Sequence, residues 1–541
     1  MKTKLFVIFS LLSSVLVSCA GGKMEKPEAI TGLTDELYFE QVGKVESIGL
    51  VEHYELLIQQ TTESNADGNE DFLAYLQEQL NAAKEYQQEC INQSGANWDV
   101  GADGEEGKNI FLGYQYTTIR YKSIDHKGNP AMLSTLVVWP FNNLIIEPEA
   151  DNVVIGCHVT IGSNAERPSN YGKGSIMSDV GMIACCAKNF AIGSEYGNLV
   201  IIPDYQGFGA THGEVHPYLS QTLTARQVLD GVRAGIAYYE QSHNLEKKWK
   251  SLSLGYSQGG SVAMAVHKYI EQNDLADEFN FAGSVCGNGP YDPLATLVKY
   301  IETDQFYMPV SAAMMMYSMC NTNPRLMGKY TPQDYLTEGF INSGVIERIE
   351  EKRLDTDQMQ EELFKHSASF NEEDEGTFCM QRLATDGLFH PYRKDTKDKW
   401  EWEEGYIKTG WARANDVLLD DCLEYFQFYR SPKTQDRIEA MEALRRALED
   451  NILYRDWTPA HPIFLYHTNE DEVVVVENFN NCLAAWEGSK MVKGAIYKGS
   501  THTHVNYGKV FFMRNCGEGI AAIFTESEAK YPFRREITGI W

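Results

Sequence analysis

A short turn around one serine, Gly255-Tyr256-Ser257-Gln258-Gly259, constrains the fold of this chain more than any other stretch of it. The turn follows Leu252-Ser253-Leu254, a short segment typical of a buried strand, and precedes a helical pattern over residues 261–272. So sharp an elbow forces the serine into strained backbone angles, and the flanking glycines let strand and helix approach each other. The sequence therefore predicts a serine hydroxyl poised over a helix N-terminus, which favours developing negative charge.

Further apolar segments alternate with helical ones on both sides of this turn. The predicted helices cover residues 224–241 and 261–272, and a strand pair is predicted at 114–123 and 132–139. The predicted buried strands are 153–155, 199–202, 252–254, 279–285, 462–466 and 494–497. Wholly apolar strands that alternate with helices indicate a mostly parallel, doubly wound sheet with helices on both faces.

The alternation stops between residues 290 and about 460, where the chain is charged and has helical character. This interval predicts a large helical cap inserted into one α/β domain. The predicted division is a core at 101–290 and 456–541, a cap at 291–455, and a tether with an N-terminal helical extension at 19–100. Within that extension, the pattern from about residue 31 to residue 92 reads as helical throughout.

The first residues have the features of an export signal. Lys2 and Lys4 precede an apolar stretch at 5–17, and Leu16-Val17-Ser18-Cys19 is similar to a bacterial lipobox. We expect residues 1–18 to be a lipoprotein signal peptide and Cys19 to carry lipid, which anchors the chain without spanning the membrane. Cleavage by an ordinary secretion signal peptidase is the alternative. The sequence thus predicts an exported lipoprotein of the bacterial cell envelope, at the periplasm or the outer-membrane surface.

Charge and cysteine content narrow the classes of function. Lysine and arginine total 47 against 76 acidic residues, a net charge of −29, which argues against nucleic-acid binding and against membrane docking through basic patches. No cysteine pair has the C-x-x-C spacing, so no cysteine zinc site is expected. We expect mostly free, buried thiols, no metal and no cofactor, and the sequence leaves the oligomeric state open.

A serine nucleophile needs a base and an orienting carboxylate. In strand–elbow–helix enzymes the chain order is serine, acid, histidine. Of the 13 histidines only His502 and His504 follow the last credible acid loop. We favour His504, because the apolar start of a closing helix follows it, and keep His502 as the alternative. Asp471, after strand 462–466, is the preferred acid, with Glu470 and Glu472 as alternatives.

Two further sets of residues complete the expected site. Backbone N–H groups of Gln258 and of the loop after strand 153–155, at Val159 or Thr160, are the candidates for an oxyanion hole. An apolar patch in the cap is a candidate acyl pocket, although such residues are also typical of cap core. Its members are Met314, Met315 and Tyr317.

The elbow with its second glycine, Gly255 to Gly260, resembles the secretory lipase family and its bacterial esterase relatives in the α/β-hydrolase superfamily. Four further stretches resemble the same family in their order and spacing. The resemblance extends over about residues 110–292 and 456–512. These are Pro203-Asp204-Tyr205-Gln206-Gly207-Phe208-Gly209 with His216-Pro217-Tyr218, Leu229 to Ala234, Gly289-Pro290-Tyr291-Asp292, and Pro462 to Asp471.

The resemblance implies an α/β-hydrolase fold and hydrolysis of a small-molecule or lipid carboxylic ester by Ser257, Asp471 and His504. Two features depart from the family: Glu472-Val473 replaces the usual Val-Pro after the acid, and the histidine loop holds two histidines. A serine peptidase, an acetyl or feruloyl esterase acting on polysaccharides, and an inactive surface-binding lipoprotein are the alternative functions.

Overall fold

The structure is a computed structural model that describes residues 30–63, 69–94, 112–142, 150–172, 178–187, 197–365, 412–428, 430–498, 502, 508–525 and 534–537. The predicted signal peptide with Cys19, and His504, lie outside these residues. Within the described ranges, no helix combines the length and the hydropathy needed to cross a bilayer.

The described strands form one ten-stranded sheet in the order β1-β2-β3-β5-β4-β6-β7-β8-β9-β10. β1, β2, β3 and β5 pair antiparallel, and the strands from β5 to β10 in this order pair in parallel. The strands are β1 (Phe39–Gly49), β2 (Leu112–Ile124), β3 (Pro130–Asn142), β4 (Asn152–Cys157), β5 (Asn198–Pro203), β6 (Lys250–Tyr256), β7 (Phe281–Gly287), β8 (Ile463–Thr468), β9 (Val492–Tyr497) and β10 (Arg534–Ile537). The mostly parallel sheet predicted from the apolar segments is confirmed.

The α-helices of the described residues cover both faces of this sheet and also form a layer above its carboxyl edge. They are α1 (Leu50–Glu63), α2 (Asn69–Ser94), α3 (Ser178–Ala184), α4 (Gln221–His243), α5 (Gln258–Gln272), α6 (Ala276–Phe279), α7 (Pro293–Thr303), α8 (Pro309–Thr322), α9 (Glu338–Asn342), α10 (Val345–Glu351), α11 (Thr356–Lys365), α12 (Ala414–Val417), α13 (Asp420–Phe428), α14 (Gln435–Glu449), α15 (Glu477–Ala485) and α16 (Gly508–Thr525).

Successive residues of the central strands point to opposite faces and so build two apolar clusters. Val153 and Ile155 pack with α4, α5 and α15 on one face, whereas Val154 packs with α1, α2 and α16 on the other. Burial on both faces explains why both faces of these strands carry apolar residues.

The prediction that residues 31–92 are helical throughout is wrong, because residues 39–49 form the edge strand β1, paired antiparallel with β2. Most side chains of β1 are exposed, so no alternating apolar pattern marks it in the sequence. Backbone pairing with the long strand β2 decides its structure. The helical prediction holds for α1 and α2.

The helices between β7 and β8, α7 to α14, are called the cap below. They pack around an apolar core of their own, to which Tyr218 and Leu219 of the α/β core also contribute. The domain boundaries given above stay predictions.

The cysteines for which the structure describes a thiol agree with the expected buried thiols. The free and buried cysteines among the described residues are Cys157, Cys185, Cys186, Cys286, Cys320, Cys422, Cys482 and Cys516.

Candidate active site

Ser257 lies at the sharp turn between β6 and α5. Its backbone angles, φ 55° and ψ −126°, belong to a region that residues with a Cβ rarely adopt. Its N–H donates to the carbonyl of Gly287, at the end of β7, over 2.9 Å. The elbow predicted from the sequence is thus formed, and neighbouring strand β7 helps to hold it.

The glycines of the elbow permit backbone contacts that a side chain would block. A Cβ built on Gly259 would lie 2.1 Å from the carbonyl oxygen of Cys157, the last residue of β4. On Gly255 it would lie 2.2 Å from the carbonyl oxygen of Gly259. The loop that follows β4 therefore begins directly beside the first turn of α5.

One imidazole connects the serine with a carboxylate. Nε2 of His502 lies 3.0 Å from Oγ of Ser257, and Nδ1 of His502 lies 2.7 Å from Oδ2 of Asp471. Because an ionised carboxylate only accepts hydrogen bonds, Nδ1–H donates to Asp471. Nε2 is then the acceptor for the serine hydroxyl, the arrangement that a general base requires.

The contacts of this imidazole favour His502, the histidine that the sequence analysis kept as the alternative base. His502 occupies the position between Ser257 and Asp471 that the sequence analysis preferred for His504. The chain order identified the loop, but two histidines two positions apart satisfy that order equally. The preference for His504 is therefore replaced by His502 in the assignment below.

Three contacts fix the position of His502. The ring of Tyr256 stacks on its imidazole with 5.2 Å between centroids, and the Tyr256 hydroxyl donates to its carbonyl over 3.3 Å. The N–H of His502 donates to Oε2 of Glu472 over 2.7 Å. Glu472, considered above as an alternative acid, thus contacts the backbone of the histidine, and the carboxylate that reaches its imidazole is that of Asp471.

Asp471 is buried, and backbone and side-chain donors hold its carboxylate. Oδ1 accepts from the N–H groups of Val473 (3.0 Å) and Val474 (2.6 Å). Oδ2 accepts from Nδ2 of Asn288 over 2.6 Å as well as from His502. The carboxylate therefore presents a fixed oxygen to the imidazole.

Burial and neighbouring charges shift the pKa values of this pair in opposite directions. Burial by itself lowers the pKa of His502, but the carboxylates of Asp471 and Glu472 outweigh burial and raise that pKa above its usual value. Burial by itself raises the pKa of Asp471, yet the charge and the hydrogen bond of His502 lower it overall. The pair thus favours an ionised Asp471 and a basic imidazole.

Asn288 is a site residue that the sequence analysis missed. It directly follows β7, and its Nδ2 donates to both Asp471 and Oγ1 of Thr468. Its position at the carboxyl end of a predicted parallel strand was a usable signal, because such ends converge on one edge of the sheet.

The candidate oxyanion residues lie around the elbow. Gln258 begins α5, whose first turn leaves N–H groups without acceptors inside the helix. The side-chain Nε2 of Gln258 lies 3.0 Å from Nε2 of His216. Thr160, in the loop after β4, has its hydroxyl 3.3 Å from that of Tyr218.

A narrow cavity, partly open to solvent, lies between the cap and the loop that follows β4. Met314 and Tyr317, two of the predicted pocket residues, line it, together with Ile161, Phe208, His216, Tyr218, Ile349, Lys352 and Met359. The third, Met315, packs instead within the apolar core of the cap. Because His216 also contacts Gln258, the cavity adjoins the residue that follows the nucleophile.

One part of the chain matches a known protein family. Residues 190–332, which include the elbow and the first cap helices, match the model of the secretory lipase family. No curated protein gives a significant match to the sequence.

Two solved structures share the fold. The rice cell wall degrading esterase LipA from Xanthomonas oryzae is 17% identical, with a TM-score of 0.53, and the alignment covers 78% of this chain and 92% of that one. A protein of Legionella pneumophila described as a hydrolase is 13% identical, with a TM-score of 0.55, 90% of this chain and 99% of that one being covered. The chain has the α/β-hydrolase fold, as expected from its sequence.

Proposed function

We propose that this α/β-hydrolase cleaves carboxylic esters, with Ser257 as nucleophile, His502 as general base and Asp471 as the orienting carboxylate. The observation that carries the proposal is the pair of contacts of one buried imidazole, 3.0 Å to the serine hydroxyl and 2.7 Å to the carboxylate. The match of residues 190–332 to the secretory lipase family supports ester hydrolysis.

The proposed reaction has two steps. Nε2 of His502 takes the proton of Ser257 while Oγ attacks the ester carbonyl, and Asp471 stabilises the imidazolium that forms. The protonated His502 then gives the proton to the departing alcohol, which leaves an acyl group on Ser257. In the second step His502 takes a proton from water while the water oxygen attacks the carbonyl of the acyl-enzyme. The bond between the acyl group and Oγ then breaks, His502 returns the proton to Oγ of Ser257, and the carboxylic acid is released.

The negative oxygen of the tetrahedral intermediate needs hydrogen-bond donors already in place. The N–H of Gln258, at the start of α5, and an N–H of Val159 or Thr160 are our candidates. They are supported by the close approach of Gly259 to the carbonyl oxygens of Cys157 and His158, which directly precede Val159.

The cavity beneath the cap is the proposed acyl pocket. Apolar side chains dominate its lining, among them Ile161, Phe208 and Met314, and it adjoins the elbow through His216. Apolar walls favour an acyl chain over a charged group, because a charge would lose hydration there without a partner.

The test is hydrolysis of the p-nitrophenyl esters of acetate, butyrate, octanoate and palmitate by the mature chain. We expect turnover with an optimum in chain length, and a loss of about 10⁴–10⁶-fold in kcat for Ser257→Ala. Ser242→Ala, in the last turn of α4, is the matched control and should retain activity.

Equal turnover by the mature chain and by Ser257→Ala, or no turnover of any ester, would contradict the proposal. Serine-dependent cleavage of peptide amides in place of esters would point to the peptidase alternative.

We also propose that the chain is exported and anchored by lipid on Cys19, on the basis of the lipobox-like sequence. Metabolic labelling with a palmitate analogue should label the wild-type chain and Cys90→Ala, and should fail for Cys19→Ala. Equal labelling of the Cys19 variant would overturn the anchor.

A further inference from the structure

Two histidines and a glutamate converge at a place remote from Ser257. His267 and Glu271 lie in the second half of α5, and His461 lies just before β8. One potential ligand atom from each residue lies within 4.8 Å of the others. Since α5 begins next to Ser257 and β8 ends close to Asp471, the cluster lies at the far ends of both elements and touches neither catalytic group.

The carboxylate of Glu271 has more nitrogen neighbours than it can serve as an acceptor. Oε1 lies 2.9 Å from Nε2 of His267 and 2.7 Å from Nδ1 of His461. The N–H groups of Ala460 and His461 reach the same oxygen over 3.0 and 2.9 Å. The N–H of Ala460 is equally close to Oε2, at 3.0 Å, and Nε1 of Trp457 donates to Oε2 over 2.7 Å. Five nitrogens therefore face the roughly four lone-pair sites of the carboxylate, so one of them is in excess.

A shared cation resolves this crowding. The two backbone groups can only donate, but each imidazole nitrogen can present a lone pair if its ring carries the proton on the other nitrogen. With the imidazole lone pairs directed at a metal ion, the two imidazoles and Oε1 become ligands, and the N–H groups of His461, Ala460 and Trp457 take the three remaining lone pairs of the carboxylate.

A hydrogen-bond partner and two aromatic rings hold the imidazole of His267 in an orientation that suits a metal ligand. Its Nδ1 lies 2.8 Å from Oγ of Ser284, a partner that can hold the proton on Nδ1 and leave Nε2 free to coordinate. The rings of Phe281 and Trp457 pack on the imidazole, with centroids 4.8 and 5.1 Å away.

Although the sequence led us to expect no metal, we propose that His267, Glu271 and His461 form a zinc site that joins α5 to the chain entering β8. Two imidazole nitrogens and one carboxylate oxygen are ligands that Zn²⁺ takes at about 2.0–2.2 Å, whereas Ca²⁺ and Mg²⁺ take oxygen ligands. A zinc ion here links the helix of the nucleophile to the strand of the acid, and its role is structural.

The test uses the mature chain after dialysis against a chelator. Titration with Zn²⁺ should saturate at one ion per chain and raise the Tm by about 2–5 °C, whereas Mg²⁺ should leave it unchanged. Co²⁺ should give the visible absorption of a low-symmetry nitrogen and oxygen site. Neither readout depends on ester hydrolysis.

The variant His461→Ala should lose the ion and the Tm increase. His461 is partly exposed, so this change is tolerated better than one at buried His267. His212→Ala, at an exposed histidine of another loop, is the matched control and should bind one ion. Saturation without any rise in the Tm of the wild-type chain, no binding at all, or unchanged binding by His461→Ala would overturn the proposal.

Discussion

The carboxylates of Asp471 and Glu472 contact different groups of His502. Asp471 accepts from Nδ1 of His502, and Glu472 accepts from the backbone N–H of the same residue. Both raise the pKa of His502 against the opposing effect of burial. Glu472 therefore contacts His502 differently from Asp471, the proposed acid. Its effect on the pKa of His502 can be measured separately from that of Asp471.

We predict that Glu472→Gln shifts the acidic limb of the kcat/KM profile to lower pH. The base works only when neutral, and the raised pKa means that activity is lost as the pH falls through a value above the usual 6.5. Glutamine keeps an oxygen for the N–H of His502 but removes the charge, so the pKa of His502 should fall. The measurement is the pH dependence of p-nitrophenyl butyrate hydrolysis.

Glu470→Gln is the control for this shift, because Glu470 is an exposed acid of the same loop. It should leave the acidic limb in place. A limb that moves equally in both variants, or moves upward in Glu472→Gln, would contradict the assignment of this role to Glu472.

At the scale of elements, the stability of the unit formed by β6, the elbow and α5 depends on glycines that let β4 approach closely. The carbonyl of Cys157 occupies the space where a Cβ of residue 259 would lie, at 2.1 Å. Backbone on both sides of this contact is held in the sheet or in the helix, so little relaxation is available.

Gly259→Ala should therefore destabilise the fold by about 1–3 kcal/mol and lower the Tm, since overpacking forces backbone shifts. Gly213→Ala is the matched control, because nothing lies within 4 Å of its added Cβ. Thermal unfolding followed by circular dichroism compares the two. Equal Tm values would show that the approach of β4 is not as tight as described.

At the scale of the whole molecule, one lysine of the cap holds the cap on the α/β core. Nζ of Lys352 donates to the carbonyls of Gly207 (2.6 Å), His212 (2.9 Å) and Glu214. Its own carbonyl accepts from the N–H of Asn164 over 2.8 Å. Lys352 also lines the proposed acyl pocket, so the docking of the cap and the shape of the pocket depend on the same residue.

Lys352→Met should loosen the cap, because a side chain of similar length without donors leaves three carbonyls without this partner. We expect a KM for p-nitrophenyl butyrate raised about 3–30-fold and faster limited proteolysis within the cap, since a lost hydrogen bond of a charged donor is worth about 1–2 kcal/mol. Lys329→Met, at an exposed lysine of the cap, should behave as wild type. Unchanged KM and proteolysis in Lys352→Met would refute this docking role.

Much of the α/β core was readable from the sequence because its signals are local. Strands β4 to β9 are rich in apolar residues, and the elbow has glycines at fixed offsets from its serine. β1 was not readable, since its mostly exposed side chains leave no pattern and a partner more than 60 positions away determines its structure.

By itself the sequence determined the class of fold, the elbow around Ser257, the loop that holds Asp471 and the loop that holds the histidine. Chain order and apolar periodicity carry that information. Tertiary structure alone decided that His502 faces Asp471 and Ser257, that Asn288 reaches the same carboxylate, and that His461 meets Glu271 across 190 positions. Such choices depend on distances of a few ångströms between side chains far apart in the chain, and residue spacing does not encode those distances.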